Sequence, residues 1–179
     1  MPIYQIYHSY PLTREQKQEL ATAITNLHCT TFTTPSFFVH IRFIFHNASD
    51  ESYFMAGKPR TTNTNRIVGI VRTSLARSKS DFDTLGEKIE DAWYRELEPT
   101  SSGAEGAALA EAKRLLLVTF TPLIAIREGG MTIPDAGKEG EWFKEKLRYI
   151  RERASKGNED FAEMARELDE REDLKQLPV

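Results

Sequence analysis

The sequence predicts an α/β (α+β) domain built from a duplicated β-α-β unit, with a mostly parallel sheet carrying two helices on one face. Three observations lead there. Short runs of β-branched and aromatic residues alternate with two amphipathic helices, and an apolar strand follows each helix. Ile3 and Ile6 precede Ile24 of the first helix much as Ile67 and Ile70 precede Ile89 of the second. Strand-helix-strand connections of this length join parallel neighbours with the helix lying across one face. The two units span residues 2–46 and 66–121 of a domain at 1–147, and residues 148–179 form a charged helical C-terminal extension. Two unrelated units of this kind would also look alike by chance. Under the pseudo-symmetry Arg66 takes the place of Pro2, so the halves differ chemically.

The elements follow in order. Residues 3–9 are β-branched or aromatic with polar interruptions, a first strand. Thr13 and Gln16 form a capping-box pattern, and Leu20, Ile24 and Leu27 then recur at helical spacing, giving a helix that ends near Thr31. Pro35 breaks it. Residues 37–46 read as the second strand, with Phe37, Val39, Ile41, Phe43 and Phe45 on one face and His40, Arg42 and His46 on the more polar one. A connection with a short strand around Phe54 leads to a third long strand at 67–73. Ser80 or Asp81 caps a second helix whose Phe82, Leu85, Ile89, Trp93 and Leu97 recur every three or four residues. Residues 99–103 end it, an alanine-rich piece at 107–113 makes a short extra helix, and 115–120 is the last core strand. Helices on one face leave the other bare. Phe37, Val39, Ile41, Phe43, Val68 and Val71 exceed what two helices cover, so the chain is expected to bury the remainder by homo-oligomerisation. From Glu139 onward the chain is charge-rich with Trp142, Phe143, Leu147 and Ile150 on one stripe, and its last dozen residues read as a frayed, solvated helix.

Composition excludes several function classes. The 179 residues carry 24 Lys and Arg against 27 Asp and Glu, a net charge of −3, with no basic block, so neither nucleic acid nor an anionic membrane is an expected partner. A single cysteine, Cys29, and the lack of a long apolar run point to a soluble, cytoplasmic protein. No cluster has metal-ligand spacing, no Gly-x-Ser-x-Gly elbow occurs, and no glycine-rich phosphate loop follows a strand.

What remains is proton chemistry. If Met1 is removed, Pro2 becomes a secondary amine held at the start of a strand, with a pKa that burial or nearby cations can move across neutrality. His28 ends the first helix, where the dipole favours an imidazolium cap. Arg72 and Arg77 flank the end of the third long strand, suited either to a carboxylate or to surface ion pairing. Glu128 precedes Gly129-Gly130, either orienting a water or solvated in a loop.

Together these residues resemble the tautomerase superfamily, specifically its cis-3-chloroacrylic acid dehalogenase-like group. The resemblance covers residues 2–147 and rests on Pro2-Ile3-Tyr4, on Ala23-Ile24-Thr25 with His28, on Arg72 and Arg77, on Glu128 six residues before Pro134, and above all on Gly137-Lys138-Glu139-Gly140-Glu141-Trp142-Phe143. It implies a cofactor-free homotrimer in which Pro2 is the catalytic acid or base and Glu128 activates water. Arg72 and Arg77 would hold a small substrate carboxylate and His28 would help bind it. The family's two arginines stand closer together, and Thr119 occupies the place of its water-activating tyrosine, a position in the substrate site. The stretch from Glu98 to Lys113 and the tail also lie outside the pattern.

The charge on Pro2 then decides the reaction. A neutral amine abstracts a proton and gives keto-enol tautomerisation of an unsaturated or 2-oxo carboxylate. A cationic one donates to carbon while Glu128 delivers water, giving hydration or dehalogenation of a 3-haloacrylate. Two flanking arginines favour the neutral amine, and Glu128 opposes them. Decarboxylation of a β-keto acid such as malonate semialdehyde is an alternative, as is a non-catalytic binding protein on the same scaffold.

Overall fold

The computed structural model describes residues 1–97 and 104–177; the expected break at 99–103 lies outside them. The first strand, β1 (Ile3–His8), turns Tyr4, Ile6 and His8 inward and leaves Ile3, Gln5 and Tyr7 half-buried on the other face. Helix α1 (Arg14–Phe32) starts from the expected capping box, with the Thr13 side chain accepting from Gln16 N–H and Gln16 reaching back to Thr13 N–H.

The second strand differs from expectation. Ser36–Phe38 form a 3-10 turn behind Pro35, and β2 (His40–Phe45) begins only at His40. Proline fixes the entry to that turn, and burial of Phe38 pulls its ring out of strand alternation. A small hairpin follows, β3 (Phe54–Met55) and β4 (Lys58–Pro59), then β5 (Asn65–Val71). Helix α2 (Lys79–Glu96) is capped two residues before the earlier of the expected positions, by Ser78 with Asp81 returning the bond. Ser80 also has an acid three residues on, but that acid, Asp83, is taken by Lys79 Nζ, whereas Asp81 turns back to Ser78. Helix α3 (Ala104–Lys113) leads to β6 (Leu115–Pro122), whose arrival is fixed by Trp93 Nε1 donating to Lys113 O at 2.8 Å.

The sheet order is β2-β1-β5-β6. Both outer pairs are parallel and the central β1–β5 pair is antiparallel, as two β-α-β units joined side by side require. Helices α1 and α2 cover one face, and their Leu20, Ile24, Leu85, Ile89 and Trp93 meet Tyr4, Ile6 and Ile67 in the first core. The bare face is the one expected only at Val68. Val39, Ile41 and Phe43 pack against the helix-side core and Val71 is buried, while Ile3, Ile44, Val68, Ile70 and Leu117 stand on the uncovered side.

A second core lies at the end of the sheet where β1 begins. Strands β7 (Arg127–Glu128) and β8 (Met131–Thr132) form a hairpin, and helices α4 (Glu139–Ser155), α5 (Glu159–Glu170) and α6 (Glu172–Lys175) close over it. The expected division at residue 147 falls inside α4. The tail is not frayed within the described residues: Phe161, Met164 and Leu174 are buried, and Glu167 accepts from Ser36 N–H at 2.8 Å while Arg171 donates to Thr34 O at 3.0 Å. Among the described residues no helix is long and apolar enough to cross a membrane, and no group of His, Cys, Asp and Glu could hold a metal ion.

Candidate active site

Everything expected to be functional, Thr119 excepted, gathers at the start of β1. Pro2 is buried, and its carbonyl accepts His40 N–H at 3.1 Å, the first rung leading into the β1–β2 ladder. With Met1 in place the proline nitrogen is an amide, and the basic group is the Met1 amine. That amine is pushed down from 8.0 to about 4, first by burial, then by Arg72, with Arg77 adding to it and Glu128 and Glu139 opposing. It is neutral at pH 7.

The arginines converge despite their wide spacing in sequence. Arg72 follows the last residue of β5, and a tight turn in which Arg77 N–H donates to Ser74 O at 3.1 Å folds the intervening residues back. That turn absorbs the extra length. Arg72 donates to Pro134 O at 2.7 Å and to Glu139 Oε1 at 2.6 Å. Arg77 lies over the Phe32 ring at 4.8 Å and reaches the same Glu139 oxygen at 3.2 Å. The other Glu139 oxygen takes Gly137 N–H at 2.6 Å, from a glycine at φ 91°, where a side chain is disfavoured. Glu139 also opens α4, where the helix dipole favours a carboxylate. One acid therefore serves two cations. Arg72 Nε is buried without a partner among the described residues, a donor available to an incoming oxygen.

His28 is not the charged helix cap that its position suggested. It is 1 % exposed, with Nδ1 at 2.8 Å from Tyr4 Oη, and burial followed by Arg77, the amino terminus and Arg72 takes it down to about 3. It is a neutral imidazole at the working pH. The adjacent Cys29 thiol is pushed up to about 11 by burial and is no nucleophile.

Glu128 comes in on the β7–β8 hairpin. Gly129 (φ 55°) and Gly130 (φ 83°) form its two-residue turn, and a Cβ on either would strike Phe161 or Tyr149. Tyr149 Oη donates to Gly129 O at 2.9 Å, so α4 fixes the turn. Glu128 Oε1 is 2.8 Å from His40 Nε2, while Oε2 is buried with no partner among the described residues. Burial raises its carboxyl above the usual range against the opposing pull of His40. Half-exposed His40 thus links a buried acid to solvent.

Thr119 is not brought to this cluster within the protomer. It pairs with Val68 on the uncovered face of the sheet, at the level of Gln5 along β1. Three residues of the site were not assigned a role from sequence: Tyr4, His40 and Glu139. Glu139 stood inside the most distinctive motif and His40 on the polar face of its strand, but pairings across 67 and 88 residues leave no local trace.

The family model described as "Putative oxalocrotonate tautomerase enzyme" matches residues 1–146. Among solved structures, N1, a member of the cis-3-chloroacrylic acid dehalogenase family, is 21% identical, with 86% of this chain and 99% of that chain covered at a TM-score of 0.61. MIF2 of Leishmania major is 16% identical over 74% of this chain and 97% of its own, at 0.52. A fused 4-OT wild type asymmetric trimer is 15% identical over 73% and 94%, also at 0.52. At these identities the structures speak for the fold. No curated protein matches the chain.

Proposed function

The chain belongs to this tautomerase family, and from that premise we propose that, once Met1 is removed, Pro2 transfers a proton on a small 2-oxo or unsaturated carboxylate. The observation that carries the reading is the amino terminus itself, buried among Arg72, Arg77 and Glu128 and held neutral. A secondary amine one residue inward faces the same cations, which favour its neutral form, and it therefore works as a base. The substrate carboxylate sits against the guanidiniums, using the unpartnered Arg72 Nε. Pro2 takes the enol O–H proton as the C=O bond forms, and the C=C pair then takes that proton from the prolinium at carbon. Neutral His28, positioned by Tyr4, hydrogen-bonds the substrate oxygen. The reaction needs no cofactor.

One observation favours a second reading. Glu128 Oε2, buried and without a partner, is an acceptor placed to take a proton from water, which with a cationic Pro2 would give hydration or 3-haloacrylate dehalogenation. The uncovered apolar face of the sheet supports a homotrimer, in line with the fused 4-OT trimer of similar fold, and a lone buried cysteine suits the cytoplasm.

The test uses protein shown by mass spectrometry to begin at Pro2, assayed on phenylenolpyruvate. Pro2→Ala should lose about 10²–10⁴-fold in kcat/KM. A kcat/KM already on its plateau at pH 7 and falling on acidification identifies the base; one falling as pH rises through neutrality identifies the acid and the hydratase. Unchanged turnover in Pro2→Ala overturns the role of Pro2, and no turnover by the parent chain leaves a binding protein on the scaffold.

A further inference from the structure

The side chain of Met1 occupies a place of its own. It is 5 % exposed and belongs to the second core, with Phe38, Met131, Ile133, Trp142 and Phe143. Three of these form an aromatic group: Phe38 lies 5.9 Å from Trp142 and 6.2 Å from Phe143, and Trp142 lies 5.2 Å from Phe143. The indole N–H is spent on Thr132 O at 2.9 Å, so the group offers carbon and ring faces. Being bonded to Pro2, Met1 places this side chain beside the charged part of the site, and Ile133 of the same cluster also walls a recess of about 40 Å³ with Arg72 and Pro134.

We infer that the seat of the Met1 side chain becomes an apolar subsite of the processed protein, and that its substrate is a 2-oxo or enol carboxylate bearing an aromatic or aliphatic tail. The inference rests on the N-terminal proline reading, since only removal of Met1 empties the seat. Its geometry then sets the substrate's shape. The carboxylate lies against Arg72 and Arg77, the reacting carbons lie at Pro2, and the tail extends between Ile133 and the Phe38-Trp142-Phe143 group. A short or doubly charged substrate would leave aromatic surface unfilled or bring a charge onto it without a partner. The unprocessed chain carries its own occupant and is closed to any tail.

The experiment measures binding of two unreactive probes, 3-phenylpropanoate and propanoate, which share the carboxylate and differ by the phenyl ring. Calorimetry is run on the chain beginning at Pro2 and on the chain retaining Met1. The processed chain should bind phenylpropanoate about tenfold or more tightly than propanoate, the order expected for burying a ring. The chain retaining Met1 should show no such preference. Met131→Gln should narrow the preference to under about threefold with propanoate affinity unchanged, and a circular dichroism spectrum matching the parent verifies its fold. Equal affinities on the processed chain, or phenylpropanoate binding undiminished by Met1, overturn the subsite. Failure of the enzyme reading looks different: the preference survives while no enol is turned over. Equal turnover of enols with and without a phenyl ring, with no binding preference, removes the subsite and leaves the enzyme.

Discussion

Glu139 holds the site's two cations, so replacing it by glutamine is the most informative single perturbation. The three charged side chains are each under a tenth exposed, and the two ion-pair distances are 2.6 and 3.2 Å. Glutamine keeps an oxygen for Gly137 N–H but removes the charge, leaving two buried guanidiniums facing each other. Removing one partner of a buried pair costs about 3–5 kcal/mol, because the remaining charge stays desolvated. For a chain of this length each kcal/mol moves the melting midpoint by about 2–4 °C, so Glu139→Gln should melt about 6–20 °C lower. Glu141→Gln supplies the control, being exposed in the same first turn of α4 and subject only to a helix-dipole term of about 0.3–1 kcal/mol. A small carboxylate added to Glu139→Gln should raise its midpoint more than it raises the parent's, since the anion then replaces the lost charge. Urea titration of both variants is the assay. A loss below about 1 kcal/mol, or one no larger than that of Glu141→Gln, would refute the idea that Glu139 neutralises the arginine pair.

Two further outcomes follow from individual residues. Tyr4→Phe leaves His28 Nδ1 buried without its partner and should cost about 1–3 kcal/mol by urea titration. Because the folded imidazole is held near 3 and the unfolded one near 6.5, its contribution is full above pH 6.5 and is lost as pH falls toward 3. Nitrogen-15 shifts of His28 should accordingly stay constant between pH 7 and 5, and titration near 6.5 would contradict its burial. Gly129→Ala incurs about 1–2 kcal/mol for its left-handed backbone and about 1–3 more for a Cβ placed 2.6 Å from Phe161 Cζ. Gly57→Ala, with φ 73° and nothing within 4 Å, incurs only the first, so equal losses in urea titration would refute the clash.

The places where sequence reasoning failed share a physical cause. Residues 37–45 are apolar on both parities, with Phe37 beside Phe38 and Phe43 beside Ile44, so a period of two could not say which side met the helices. That choice was made by register: Tyr4 opposite Ile41 and Ile6 opposite Phe43 carry β2's inward set with β1's. In the tail, charged residues outnumber Phe161, Met164 and Leu168, yet those three at helical spacing were enough to dock α5. By contrast the Thr13 box and the stripe from Phe82 to Trp93 were readable because caps and helix faces are local. Pro2, His28, Arg72, Arg77 and Glu128 stand out in the sequence as residue types in a motif, and the fold brings them to one end of β1. Whether Arg72 and Arg77 met a ligand or an internal acid depended on Glu139, far along the chain.

The charge balance of the site ties binding to basicity. Two guanidiniums face one carboxylate, His28 and the amino terminus are neutral, and Glu128 is engaged with His40, so the arginine group keeps an uncompensated positive charge. Part of the force holding the terminal amine neutral comes from that excess. A monoanionic substrate cancels it, and the amine then becomes more basic when the substrate arrives. In the processed protein the acid limb of kcat, which reports the complex, should therefore lie at higher pH than the acid limb of kcat/KM, which reports the free enzyme. Arg77→Met removes one of the cations and should move the kcat/KM limb upward toward the kcat limb. Coincident limbs in the parent, or a kcat limb at lower pH, would mean that burial alone sets the amine and that the arginines serve only to hold the ligand.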